Sequence, residues 1–153
     1  MANKIIFAFG LLVIAFHLAA AEDPFSGFWR LNLAKSNLPP PLPKSQTSLI
    51  EATAEKISVK EEVINEKGEV LVITGEARFD GKDYPVHGTP FADTIAYERI
   101  DARTLKGRAK KGGKIVTRET VTVSPDGKTL TGSYSGTDAT GKQVTATAVF
   151  DKK

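Results

Sequence analysis

From residue 45 onward the chain is written as short runs rich in Val, Ile, Thr, Tyr and Phe, each closed by turn-forming residues at nearly even intervals. That rhythm constrains the fold more than any other feature. The punctuation is Glu66-Lys67-Gly68, Asp80-Gly81, Asp101-Ala102-Arg103, Lys111-Gly112-Gly113, Pro125-Asp126-Gly127 and Asp138-Ala139-Thr140-Gly141. These residues suit tight or bulged hairpins, because Gly supplies positive φ and an Asp side chain bonds the backbone two residues on. The spacing predicts strands over 45–53, 56–65, 69–79, 82–87, 94–100, 103–110, 114–124, 128–137 and 142–151. A further strand precedes them, since Trp29, Leu31 and Leu33 alternate with polar neighbours, the period of a strand with one buried face. The total is about ten.

Two segments depart from this pattern. Residues 36–44 hold four of the eight prolines, and proline has no N–H to give to a ladder, so a stiff, extended loop is expected there. Residues 50–57, Ile-Glu-Ala-Thr-Ala-Glu-Lys-Ile, carry Ala and Glu that favour a helix locally. The β-branched residues and alternation on both sides favour strand.

Strands that follow one another through short hairpins pair with their neighbours and give an antiparallel meander. Such a meander has two exposed edges, and curling it shut removes them. The expected fold is therefore all-β, an antiparallel up-and-down barrel of about 8 to 10 strands rather than an open sandwich. A barrel in the lower part of that range has an interior that side chains fill or that holds one small ligand.

The first residues have a different character. Met1-Ala2-Asn3-Lys4 leads into an apolar run from Ile5 to Leu18 broken only by His17, then Ala19-Ala20-Ala21. A positive start, an apolar core and small residues at the end make a secretory signal peptide, and the run is shorter than the roughly 20 residues a membrane span needs. Cleavage after Ala21 is expected, leaving one domain over 22–153 that is secreted or periplasmic. Lys4 leaves with the leader, so the 21 basic residues fall to 20 against 18 acidic ones, an excess of +2. These charges are interspersed, which argues against nucleic acid as a partner. The single basic cluster, Arg108-Ala109-Lys110-Lys111-Gly112-Gly113-Lys114, reads as a solvated hairpin turn. With zero Cys and His87 the one His of the mature chain, neither a disulfide framework nor a zinc site of the common kind is expected, and no cofactor is called for.

No catalytic constellation stands out. Gly132-Ser133-Tyr134-Ser135-Gly136 matches G-x-S-x-G only loosely, in a strand with no helix to follow. Glu61 and Glu62 are neighbours on one strand, point to opposite faces and read as part of a solvated strand. Gly112-Gly113 leads into a strand, not into a helix N-terminus that could cradle phosphate. The residues left are those that line an interior. Ile95, Tyr97 and Arg99 share one strand face; Leu130, Gly132 and Tyr134 share another; Ala146 and Ala148 beside Val144 and Phe150 offer room. A mixture of apolar, small and phenolic residues suits a ligand cavity with a few polar handles. Tyr97, Arg99, Arg118 and Tyr134 are the candidate ligand-binding residues, with a packed core and a rim or surface position for the arginines as the alternative.

Gly27-Phe28-Trp29 at the head of the first strand resembles the G-x-W opening of the calycin superfamily of lipocalins, fatty-acid-binding proteins and avidins. The wider pattern Leu31-Asn32-Leu33-Ala34-Lys35-Ser36, Asp80-Gly81-Lys82-Asp83-Tyr84-Pro85-Val86, Arg99-Ile100-Asp101, Lys111-Gly112-Gly113-Lys114 and Asp126-Gly127-Lys128-Thr129-Leu130-Thr131 is similar to a group of secreted bacterial lipocalin-like proteins. The group lends a fold but no activity. The resemblance implies that Trp29 plugs the closed end of the barrel beneath a basic side chain of the last strand, here Lys142, Lys152 or Lys153. It does not extend to a T-D-Y motif, and one Trp is too few for an avidin-like biotin site.

The function expected from these features is non-enzymatic binding of a small apolar or amphipathic molecule in the lumen. The alternative is an envelope module with a packed core that binds protein or glycan, using the Pro-rich loop. An enclosed apolar void of roughly 300 Å³ or more would separate them in favour of the first.

Overall fold

Alternation prevails over composition where the two compete. Residues 50–57 form no helix: they end one strand at Ala52, turn, and begin the next at Lys56. Ile50 and Ile57 thereby both reach the core, at 8% and 4% exposure. The Thr53 hydroxyl holds the turn by accepting the backbone N–H groups of Glu55 and Lys56 at 3.2 and 3.3 Å. In the computed structural model, which describes residues 21–137 and 140–153, the strands are β1 Gly27–Leu31, β2 Ser45–Ala52, β3 Lys56–Ile64, β4 Val70–Arg78, β5 Tyr84–His87, β6 Thr94–Asp101, β7 Thr104–Lys111, β8 Lys114–Val123, β9 Thr129–Thr137 and β10 Gln143–Lys152. Apart from Ala21, the leader expected at residues 1–21 lies outside the described residues. Among the described residues, no helix is long and apolar enough to cross a membrane.

The ten strands close into one antiparallel barrel in the order β1-β10-β9-β8-β7-β6-β5-β4-β3-β2. The last seam is made by β1, where Trp29 is opposite Lys152 on β10 and opposite Ser48 on β2. At the Lys111–Lys114 hairpin, Gly112 and Gly113 have φ of +55° and +77°, the pair of positive values that a two-residue turn matched to strand twist demands. The basic cluster around it is an ion-paired surface. Asp83 accepts from Lys110 at 2.6 Å and Arg108 at 3.2 Å, while Asp93 accepts from Lys111 at 2.6 Å. The thinnest part of the wall is β5, with two register pairs to each neighbour.

The two ends of the barrel differ. The β2–β3, β4–β5, β6–β7 and β8–β9 hairpins surround one end, and the N-terminal segment folds across it. Phe25 and Trp29 are there with no exposure at all, and the Trp29 indole donates to the Phe25 carbonyl at 2.9 Å. Lys152 stands over the indole, its ammonium 5.3 Å from the ring centre. Ser26 fastens the segment to the end of β2, its hydroxyl accepting from the Ala52 N–H at 2.9 Å.

Arg99 belongs to this closure. Its guanidinium donates to Asp23 at 2.7 Å and to the Thr53 carbonyl at 3.1 Å, and it lies over Phe79 at 4.3 Å and Phe25 at 5.5 Å. Asp23 also accepts from the Phe25 N–H at 3.1 Å. The Arg99–Asp23 pair is largely buried, at 19% and 11% side-chain exposure, whereas Lys35–Asp151 is open, at 56% and 30%. Removing one member of a buried pair strands a charge, while a surface pair contributes little. Asp23→Ala is therefore expected to lower the unfolding free energy by about 3 kcal/mol and Lys35→Ala by less than about 1 kcal/mol. Urea titration checks both; equal effects would contradict the closure.

Candidate functional site

Inward positions of the barrel follow period two, and the structure shows what they enclose. Toward the end opposite Trp29 lies a chamber of about 420 Å³. Its walls are mainly apolar: Val59 and Ile73, Val86 and Ile95, Ala109, Val116 and Ala148, with Leu38 from the Pro-rich loop and Phe91 from the β5–β6 loop at its mouth. Phe91 is 73% exposed. Beneath it, against Trp29 and Phe25, is a second chamber of about 60 Å³. Val59, Glu61, Tyr97, Glu119 and Tyr134 border both, so these five residues form a waist across the lumen.

The waist is built by a row of register partners. Tyr97 on β6 is opposite Gly107 on β7, Gly107 is opposite Glu119 on β8, and Glu119 is opposite Tyr134 on β9. Gly107 is what allows the row to meet. A Cβ placed there would be 2.7 Å from both Glu119 Oε1 and Tyr97 Cε1, closer than carbon can sit. Gly132 does the same for Tyr134, whose ring lies back over it, with Cζ 2.7 Å from where a Cβ would be. On the other side, Ser48 donates to Glu61 at 3.1 Å from the register position opposite it.

The electrostatics are unusual for an interior. Burial pushes the Glu119 carboxyl up to about 7, a rise that the nearby charge of Glu61 adds to and the Tyr97 phenol, acting as donor, partly offsets. Burial also raises Glu61, with Ser48 opposing. Tyr97 and Tyr134 are held neutral, their phenols pushed well up by burial and then by the Glu119 charge. No Lys, Arg or His among the described residues borders either chamber. The described residues also contain no group of three or more His, Cys, Asp or Glu that could hold a metal ion.

Of the residues singled out from sequence, the structure brings Tyr97 and Tyr134 together at the waist. Arg99 is on the inward face of β6 as expected, but one turn of the pleat further down, engaged in the closed end. Arg118 faces outward beside Glu98, Lys106 and Arg108 in an open recess on the outer wall, opposite Arg108 and Ser135. Trp29 is the floor of the small chamber. The two acids were missed. Glu61 is the inward member of the Glu61-Glu62 pair, and its signal was its phase with Ile57 and Val59; Glu119 is likewise in phase with Val121 and Val123.

A carboxyl whose folded pKa is raised keeps a proton that the unfolded chain has already released. Stability therefore falls as pH climbs from the ordinary carboxylate range through about 7 and levels off above it. Glu119→Gln removes the Glu119 share of that slope and leaves the smaller part due to Glu61. The variant is expected to exceed the parent by roughly 2 kcal/mol at pH 8 and to match it near pH 4.5. Urea midpoints at the two pH values check this, and a variant weaker than the parent at pH 8 would contradict it.

No protein-family model matches the chain, and no curated protein matches it.

Proposed function

We propose that this protein is a carrier or scavenger barrel that takes a small amphipathic molecule into its lumen and catalyses nothing. The observation that carries the reading is a chamber of about 420 Å³, in the size range of small-molecule sites and apolar except for a few convergent polar groups. Protein interiors of this size ordinarily pack to crystal-like density, so a space kept open above a polar waist favours an occupant over a structural core. The same space argues against the alternative of an interaction module with a packed interior. The leader expected from the N-terminal sequence and the likeness of Gly27-Phe28-Trp29 to the calycin opening fit a secreted or periplasmic lipocalin-like binder.

Entry is through the mouth framed by Leu38 and Phe91, because the opposite end is sealed by Phe25, Trp29 and Arg99. The sole Trp borders the small chamber and so reports on what enters. The neutral dye Nile red is expected to bind with a single site and to alter Trp29 emission. Ala109→Phe, which fills the chamber near its mouth, should weaken that binding at least about tenfold by taking up apolar contact volume. Arg118→Ala on the outer wall should leave it unchanged. Equal binding by the parent and the Ala109 variant would refute a lumenal site.

A further inference from the structure

The lumen carries two acids and no base. Glu61 has one oxygen engaged by the Ser48 hydroxyl, and Glu119 meets the neutral Tyr97 side chain over Gly107, while both acids border the open space. An apolar ligand gains nothing from such groups, and an anionic one is repelled by them. Burying carboxylates without a cation is costly, and the cost falls when a positive charge arrives. The two flanking phenol rings add faces toward which an ammonium is attracted. A bare metal ion is a poor match, because two carboxylates fall short of the six to eight oxygens calcium gathers.

Resting on the reading of the lumen as a ligand chamber, we propose that the ligand is an amphipathic organic cation, a protonated amine on a compact apolar body. Its ammonium sits at the waist between Glu61 and Glu119, and its body fills the apolar chamber toward Leu38 and Phe91. The small chamber is far below ligand size, so the charged head stops at the waist and does not pass it. Facing Glu119 are Tyr97 from β6, Tyr134 from β9 and Glu61 from β3, and none of these can carry a positive charge. The incoming amine therefore supplies the positive charge that the site lacks, and it displaces the part of a proton that Glu119 holds near pH 7.

Three probes of one shape separate the possibilities: phenethylamine, 2-phenylethanol and 3-phenylpropanoate, titrated into the full mature protein at pH 8 with Trp29 emission as readout. The amine is expected to bind at least about tenfold tighter than the alcohol, with the propanoate weakest. In Glu61→Gln/Glu119→Gln the amine and alcohol should converge to within about twofold while the alcohol keeps its affinity. Calorimetry of the parent at pH 7 in buffers of different ionisation enthalpy gives an independent arm that needs no variant. Amine binding should release about half a proton, and alcohol binding none. An alcohol as tight as the amine, or amine binding without proton release, overturns the charge assignment. If Nile red still enters the lumen in that case, the ligand chamber stands and only its cation preference falls; if neither dye nor amine enters, both are wrong.

Discussion

Closure by β1 is the constraint on which the rest depends. This strand has five residues, yet it bonds to β10 on one side and β2 on the other, and without it the remaining nine strands would be an open sheet with two edges. Closure requires the N-terminal segment to cross the end of the barrel, and the crossing is held by groups with nowhere else to go. Trp29 donates to the Phe25 carbonyl, Ser26 is tied to Ala52, and Arg99 is clamped to Asp23. The chain has no Cys, so this buried hydrogen-bonding and stacking fastens the segment without a disulfide. It makes one end solid, so that the lumen opens toward Leu38 and Phe91 and is closed beneath by Phe25 and Trp29.

Inside that chamber the barrel sets two tendencies against each other. The apolar walls of β3, β4, β6 and β10 obey the ordinary economy of burial, whereas Glu61 and Glu119 oppose it. Gly107 and Gly132 show that the opposition is built in. Each gives up a side chain on an inward face so that a larger neighbour can lie across it, which lowers strand preference locally in order to assemble Tyr97, Glu119 and Tyr134. Positions where local preference yields to an arrangement that weakens the fold are where function is most economically sought.

Much of this was legible in the residues. Turn chemistry at Gly68, Gly81, Gly112-Gly113 and Gly127 sets the hairpins, and period two sets which face of each strand turns inward, the face that carries Tyr97, Tyr134 and Ala148. What alternation does not provide is height along the barrel axis. Tyr97 and Arg99 share a face, but one is at the waist and the other in the closed end, a distinction set by strand tilt and by pairing across β6 and β7. Phase can single out Glu61 and Glu119, yet a charged residue in a strand is so commonly solvated that the pattern by itself reads as surface. Only the register that lines up Tyr97, Gly107, Glu119 and Tyr134 across four strands shows them to be one group.

What sets this barrel apart is a half-buried carboxyl inside its lumen, with no compensating base among the described residues that border it. Carbon-detected NMR of the Glu side-chain carboxyls, followed from pH 3 to pH 9 in the unliganded protein, addresses it directly. The Glu119 resonance should titrate with a midpoint near 7, well above the usual range of a free carboxyl. A Glu119 midpoint in that usual range would mean that the carboxyl is solvated like a surface acid, which contradicts the uncompensated burial of charge in the lumen.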